Sequence, residues 1–207
     1  MNLEFVQCPS GKWIPILNGT LLHSTVDPQK EAVSLVDREW ERIASVKSLV
    51  VFGLGGGFHI RELLNRKKFE IVVIEAEKSL ALSMREKDPE LCGEIELLAG
   101  FPPPHIFSEA SFVNAMRHSY AIVRHPASVR AAPYYYSSVS QIFSERTIIR
   151  LRQMCEGNKP LVQFLDSLDI SNDQVLTLPM VQEAMVRRGS GLDKEGLIFM
   201  TLRELII

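Results

Sequence analysis

The residues best suited to chemistry stand between 48 and 75. Ser48-Leu49-Val50-Val51-Phe52 is an apolar run that stops at Gly53-Leu54-Gly55-Gly56-Gly57, and a second apolar run, Phe69 to Ile74, stops at Glu75, 22 residues after Gly53. Glycines let the chain turn tightly and let backbone approach a ligand with no Cβ in the way. A helix predicted from Phe58 to Asn65 presents free N–H groups and a partial positive charge at its start. An acid at the tip of the next strand can accept hydrogen bonds from a ribose diol. Together these predict a cradle for a nucleotide-like ligand, contacted by Gly53, Gly55, Gly56, Gly57, Phe58 and Glu75. The same set also fits a Rossmann-like sheet that keeps the tight turn and binds nothing.

Further candidates lie outside this segment. Arg124 and His125 follow the run Tyr120-Ala121-Ile122-Val123, and ligands gather at the carboxyl ends of strands in open α/β sheets. His23 precedes the cap Asp27-Pro28, and it is a candidate ligand contact or acid–base group if that segment returns over the strand tips. His59 reads as a polar neighbour of a helix start. The five histidines, 23, 59, 105, 118 and 125, show neither HxH nor HExxH spacing, so no metal is expected. No GxSxG elbow supports hydrolase chemistry, and no catalytic residue is assigned. Tyr134-Tyr135-Tyr136 and Phe143 read as helix packing, with ligand stacking as the alternative, and Arg146, Arg150 and Arg152 as a solvated helix face.

Positioning these residues requires alternating strands and helices. Before the first apolar run, Asp27 is a good N-cap with Pro28 at the first helical position, and Ala32, Leu35 and Val36 recur at helical spacing to about Ser45. Residues 3–22 read as short strands, with Asn18-Gly19 a hairpin turn. After Glu75 come a helix from Ser79 to Lys87, a strand near 94–98, an irregular stretch at Pro102-Pro103-Pro104, the strand ending at Val123, and a helical stretch from Pro133 to about Met154. Beyond the break at Gly157-Asn158-Lys159-Pro160, Val181 to Arg188 reads as a helix ended by Gly189-Ser190-Gly191. Leu197 to Met200 reads as a strand that Leu202 to Ile207 extends or pairs with.

Composition narrows the partners. The chain has 207 residues, 46% of them hydrophobic, with 23 Lys and Arg against 25 Asp and Glu. That near-neutral balance gives no electrostatic footprint for nucleic acid or an anionic membrane. No apolar run approaches the ~18 residues of a membrane span. The first residues carry no basic and apolar leader pattern, and the three cysteines are scattered with no CxxC pair. A cytoplasmic location with reduced, buried thiols is expected.

The turn GxGxG followed by bulky Phe58 departs from the dinucleotide fingerprint, which wants a small residue there. It resembles S-adenosylmethionine-dependent methyltransferases and spermidine synthases. Such enzymes usually carry an acid two residues before the first glycine, where this chain has Val51, and no Asn/Asp-Pro-Pro-Tyr motif is present. A longer resemblance starts at Leu22-His23-Ser24-Thr25-Val26-Asp27-Pro28-Gln29-Lys30-Glu31-Ala32. This looks like the LHSxxDPxxEA segment of the motility accessory factor (Maf) flagellin glycosyltransferases, in which a G-L-G-x-G turn follows. Phe52 to Leu63 stands at the matching place, Glu75 ends the following strand, and His125-Pro126 with Tyr134-Tyr135 is similar to a later motif of that family.

The resemblance covers roughly residues 15 to 140 and implies the N-terminal Rossmann-like domain of those proteins without their transferase domain. What it implies is a nucleotide or sugar-nucleotide binding or accessory domain, with a methyltransferase using S-adenosylmethionine as the alternative. A protein partner is compatible with the accessory role. The fold expected is α/β: a Rossmann-like, doubly wound, mostly parallel sheet of methyltransferase type. Residues 1–22 would form a β appendage, 23–156 the Rossmann-like domain, and 157–207 a C-terminal extension packed on it.

Overall fold

The computed structural model describes residues 2–188 and 192–206. In chain order its elements are strands β1 (Leu3–Gln7), β2 (Trp13–Leu17) and β3 (Thr20–Leu21), helix α1 (Pro28–Ile43), β4 (Ser48–Phe52), α2 (Phe58–Arg66), β5 (Glu70–Glu75), α3 (Lys78–Lys87), α4 (Pro89–Gly93) and β6 (Glu96–Ala99). There follow α5 (Pro103–Ile106), α6 (Ala110–Met116), β7 (Tyr120–Arg124), α7 (Pro126–Ala131), α8 (Pro133–Glu145), α9 (Ile148–Met154), α10 (Lys159–Asp166), α11 (Leu178–Arg188) and α12 (Leu192–Ile206). The chain forms two compact units, one of residues 1–101 and 117–136, the other of residues 102–116 and 137–207.

The first unit holds the Rossmann-like sheet expected. Four strands, all parallel, lie in the order β6-β5-β4-β7. The first strand in sequence is therefore flanked by the second and the fourth, which makes the carboxyl ends of β4 and β7 a topological switch point. All five residues of β4 are buried, as a central strand covered on both faces requires. A separate antiparallel sheet, β1-β2-β3, supplies the N-terminal β appendage. Its second turn is the predicted hairpin. Leu17 pairs with Thr20 across Asn18 at φ 50° and Gly19 at φ 76°, a left-handed pair that Asn-Gly tolerates best.

Helix α1 starts where its cap predicts. The Asp27 carboxylate accepts from Lys30 N at 2.9 Å, and Pro28 fills the first helical position. Its buried stripe of Ala32, Leu35, Val36 and Ile43 follows helical spacing. The core beneath joins Val36 and Ile43 to Leu49, Val51, Ile60, Leu63, Ile71 and Val73.

The second unit departs from the sequence reading in four places. Leu197 to Met200 is helical, within α12, because Ile198, Leu202, Leu205 and Ile206 recur three and four apart and pack into one cluster with Leu161, Leu165 and Val181. Pro103 and Pro104 open the short helix α5, since proline is tolerated in a first turn, where N–H groups lack partners anyway. Arg146, expected on a wet face, is buried with its guanidinium 4.5 Å from the Phe107 ring centre, and burial pushes its pKa down to about 10. The helical stretch expected from Pro133 to Met154 breaks between α8 and α9, where Thr147 bridges Val175. Phe143 packs edge-on against Phe107 and Phe112, as core. The predicted stop at Gly189-Ser190-Gly191 lies outside the described residues. No described helix is long and apolar enough to cross a membrane.

Candidate functional site

The switch-point crevice is occupied by the chain's own side chains. Gly53, Gly55 and Gly57 all have φ between 52° and 97°, the left-handed region that favours glycine. What crowds them is protein. A Cβ on Gly53 would overlap the Ser128 side chain, and one on Gly57 would overlap Leu91. A Cβ on Gly55 would stand 2.8 Å from His23 Nε2 and 2.9 Å from His125 Cε1. A Cβ on Gly56 would stand 2.8 Å from the Phe58 ring.

Glu75 is consumed in the same way. It is 1% exposed. One carboxylate oxygen accepts from Leu54 N at 2.8 Å and the other from Glu77 N at 2.9 Å. The acid thus fastens the glycine turn to the tip of β5. Burial outweighs those two bonds and pushes its pKa up to about 7. Tyr136 closes this side, its ring stacked on Phe52 at 5.8 Å and its hydroxyl 3.4 Å from the Ile74 carbonyl. Tyr135 donates to the Phe101 carbonyl at 2.9 Å, while Tyr134 is 89% exposed.

Three histidines meet at the crevice: His23 after β3, His59 in the first turn of α2, and His125 at the carboxyl end of β7. They are 3%, 0% and 2% exposed. The His59 and His125 rings stack at 4.3 Å and 7°, and His23 stacks on His125 at 4.4 Å. His59 Nε2 lies 3.1 Å from the Gly53 carbonyl, which can only accept, so Nε2 carries the proton and Nδ1 the lone pair. His125 Nδ1 lies 2.8 Å from Ser128 Oγ. His23 Nδ1 lies 3.3 Å from Glu31 Oε2, within ion-pair reach but off the line of a hydrogen bond. Burial pushes the His59 pKa down to about 3, helped by the neighbouring His23, and burial likewise holds His125 well below the usual histidine range. The His23 ring, first, and the Ser24 N–H hold the Glu31 carboxyl below its ordinary value.

This cluster is costly as it stands. His59 Nδ1 and both nitrogens of His23 are buried with no hydrogen-bond partner. Each unsatisfied buried polar atom costs about 1–3 kcal/mol. The Leu22-to-Ala32 segment builds the cluster's outer wall. Ser24 Oγ accepts from Val26 N and Asp27 N, and Glu31 accepts from Ser24 N at 2.7 Å, so the turn before α1 holds His23 over the glycines.

Two cavities adjoin the turn. One, of about 270 Å³, is lined by Lys12, Trp13, Gly56, Phe58, Arg61 and Lys87 among others. Lys12 Nζ sits 5.2 Å from the Phe58 ring centre and Lys87 Nζ 5.0 Å from that of Trp13. Arg61 is clamped to Asp88, its Nε at 3.1 Å. No side chain caps the first turn of α2, which begins here. The other cavity, of about 230 Å³, reaches His23 and His125 past Glu31, Arg38 and Arg130.

Of the residues expected at the site, the structure gathers Gly53, Gly55, Gly56, Gly57, Phe58, His23 and His125 around one crevice and puts Glu75 beneath it. Arg124 is exposed at the end of β7, its guanidinium 5.4 Å from the Phe52 ring centre. His118 stands at the opposite, amino end of β7, with Nε2 3.2 Å from Lys47 Nζ. Sequence reasoning treated His59 as a bystander and overlooked Lys12, Trp13 and Lys87. The available signal was the GxGxGxH spacing, which puts a ring one residue inside the helix that starts at the strand tip. No protein-family model matches this chain, and no curated protein or solved structure matches it either.

Proposed function

We propose that the chain is a binding domain for a small nucleotide-like anion, a sugar nucleotide or its nucleotide part. The observation that carries this is the cavity of about 270 Å³ in which Gly56 and the start of α2 face Lys12, Lys87 and Trp13. It is close to the lower size of small-molecule sites. Two ammonium groups and a helix N-terminus attract phosphate, and the exposed Trp13 ring offers a stacking face for a base or sugar. The resemblance of residues 22–32 and 52–63 to Maf N-terminal domains supports the sugar-nucleotide class, and no transfer step is assigned.

Methyl transfer is less well supported. The Glu75 oxygens are engaged by backbone N–H groups rather than open to a ribose.

Titration calorimetry of the 207-residue chain against UDP, CMP, their sugar conjugates and S-adenosylmethionine tests the reading. Nucleotides should bind and S-adenosylmethionine, itself a cation, should not. The double substitution Lys12→Ala, Lys87→Ala should weaken nucleotide binding at least about tenfold, the loss of roughly 1.4 kcal/mol. Nucleotide affinity indifferent to both lysines would overturn it.

A further inference from the structure

We propose that His23, His59 and His125 form a site for one divalent transition-metal ion of the zinc type, held by three imidazoles with its fourth position open to the cavity past Glu31. The inference rests on geometry separate from the lysine-lined cavity and stands or falls independently of it.

One ligand nitrogen from each ring lies within 4.8 Å of the other two, and no other cluster of at least three His, Cys, Asp or Glu among the described residues meets that criterion. Tetrahedral zinc needs its nitrogens about 3.3 Å apart, from Zn–N bonds of about 2.0–2.1 Å. The nitrogens therefore need to close by up to about 1.5 Å, and the stacked His59 and His125 rings need to turn out of their parallel arrangement, because a metal lies in the plane of each imidazole it binds. Each ring already has one nitrogen beside an orienting group: His59 Nε2 at the Gly53 carbonyl, His125 Nδ1 at Ser128 Oγ, His23 Nδ1 at Glu31. That leaves Nδ1 of His59 and Nε2 of His23 and His125 as ligands. Such outer partners fix the tautomer and ring orientation of metal-bound histidines. Two of the three ligand nitrogens, His59 Nδ1 and His23 Nε2, are among the buried atoms with no hydrogen-bond partner, as is His23 Nδ1, which Glu31 meets only at ion-pair distance.

The chemistry selects the ion. Three neutral imidazoles and no thiolate suit zinc, and cobalt or nickel as substitutes, rather than magnesium or calcium. Three protein ligands and one open position are the pattern of a site that binds an exogenous ligand. The cavity reaching His23 and His125 is lined by Arg38 and Arg130 besides Glu31, so an anionic oxygen ligand or water is the fourth partner. Gly55 is required because any Cβ there would press on His23 Nε2 and His125.

The test uses the 207-residue chain stripped with chelator and titrated with zinc by calorimetry and with cobalt by visible absorption. Expected are one ion per chain at micromolar affinity or tighter, and the intense d–d bands of four-coordinate cobalt. His59→Gln should weaken zinc binding by more than the 10–100-fold typical of losing an outer partner. Ser128→Ala and Glu31→Gln, which remove only the orienting groups, should each weaken it about tenfold. His118→Gln, at the other end of the strand, should leave it unchanged. If His59→Gln does not fold, the two outer variants decide. No binding at tens of micromolar zinc, weak octahedral cobalt bands, or affinity unchanged in Ser128→Ala and Glu31→Gln would overturn the proposal.

Discussion

At the scale of single residues, the glycines and the acid keep their places but change their work. Gly53 makes room for Ser128, Gly55 for two imidazoles and Gly56 for Phe58, while Glu75 ties the turn down. Gly53→Ala would force a Cβ into Ser128 at φ 97°, and should lower stability by about 2–4 kcal/mol in urea denaturation. Glu75 gives a pH signature. Its folded pKa of about 7 lies above an unfolded value near 4.5. Between those values the folded state keeps a proton that the unfolded chain has lost, so its contribution to stability falls as pH rises through that window. Glu75→Gln removes the titration. The stability advantage of wild type over the variant should therefore shrink by on the order of 2–3 kcal/mol between pH 5 and pH 8, and a constant gap would show that the carboxyl titrates normally.

At the scale of elements, what was readable was what is locally encoded. Asp27-Pro28 placed the start of α1, Asn18-Gly19 placed a hairpin, and the two all-apolar runs placed β4 and β5, because a cap, a turn and a buried strand each write their signature in adjacent residues. Asp27→Ala should cost about 1 kcal/mol by removing the acceptor for Lys30 N, measured by thermal melting. It should also loosen His23, since the Ser24-to-Glu31 turn shares that start. The end of the chain was misread because Leu197 to Phe199 is a short apolar run, which fits a strand or a helix alike. Its helical partners, Leu202, Leu205 and Ile206, decide between them only once Leu161, Leu165 and Val181 are there to bury them. α5 was missed because a run of prolines was weighed as a breaker rather than as a first turn.

At the scale of the molecule, the candidate sites come from segments far apart in sequence. His23, His59 and His125 carry no common spacing, and only the β6-β5-β4-β7 order puts the ends of β4 and β7 side by side. Trp13 starts β2 of the separate sheet and Lys12 stands in the turn before it, and Ile14 of β2 and Cys8 of that turn pack with Phe58, which is how they reach the glycine turn. Strand order and sheet packing are tertiary facts, so the Rossmann-like architecture was visible in the residues while the contents of its crevice were not. The central claim is that a nucleotide-like anion binds beside Gly56 and not elsewhere on this surface. Amide chemical-shift mapping of the ¹⁵N-labelled chain during titration with UDP tests it most directly. The account predicts saturable shifts concentrated at Gly56, Phe58 and the Trp13 indole; no saturable shift, or shifts centred on exposed Tyr134 and α8 with those three signals unmoved, would contradict it.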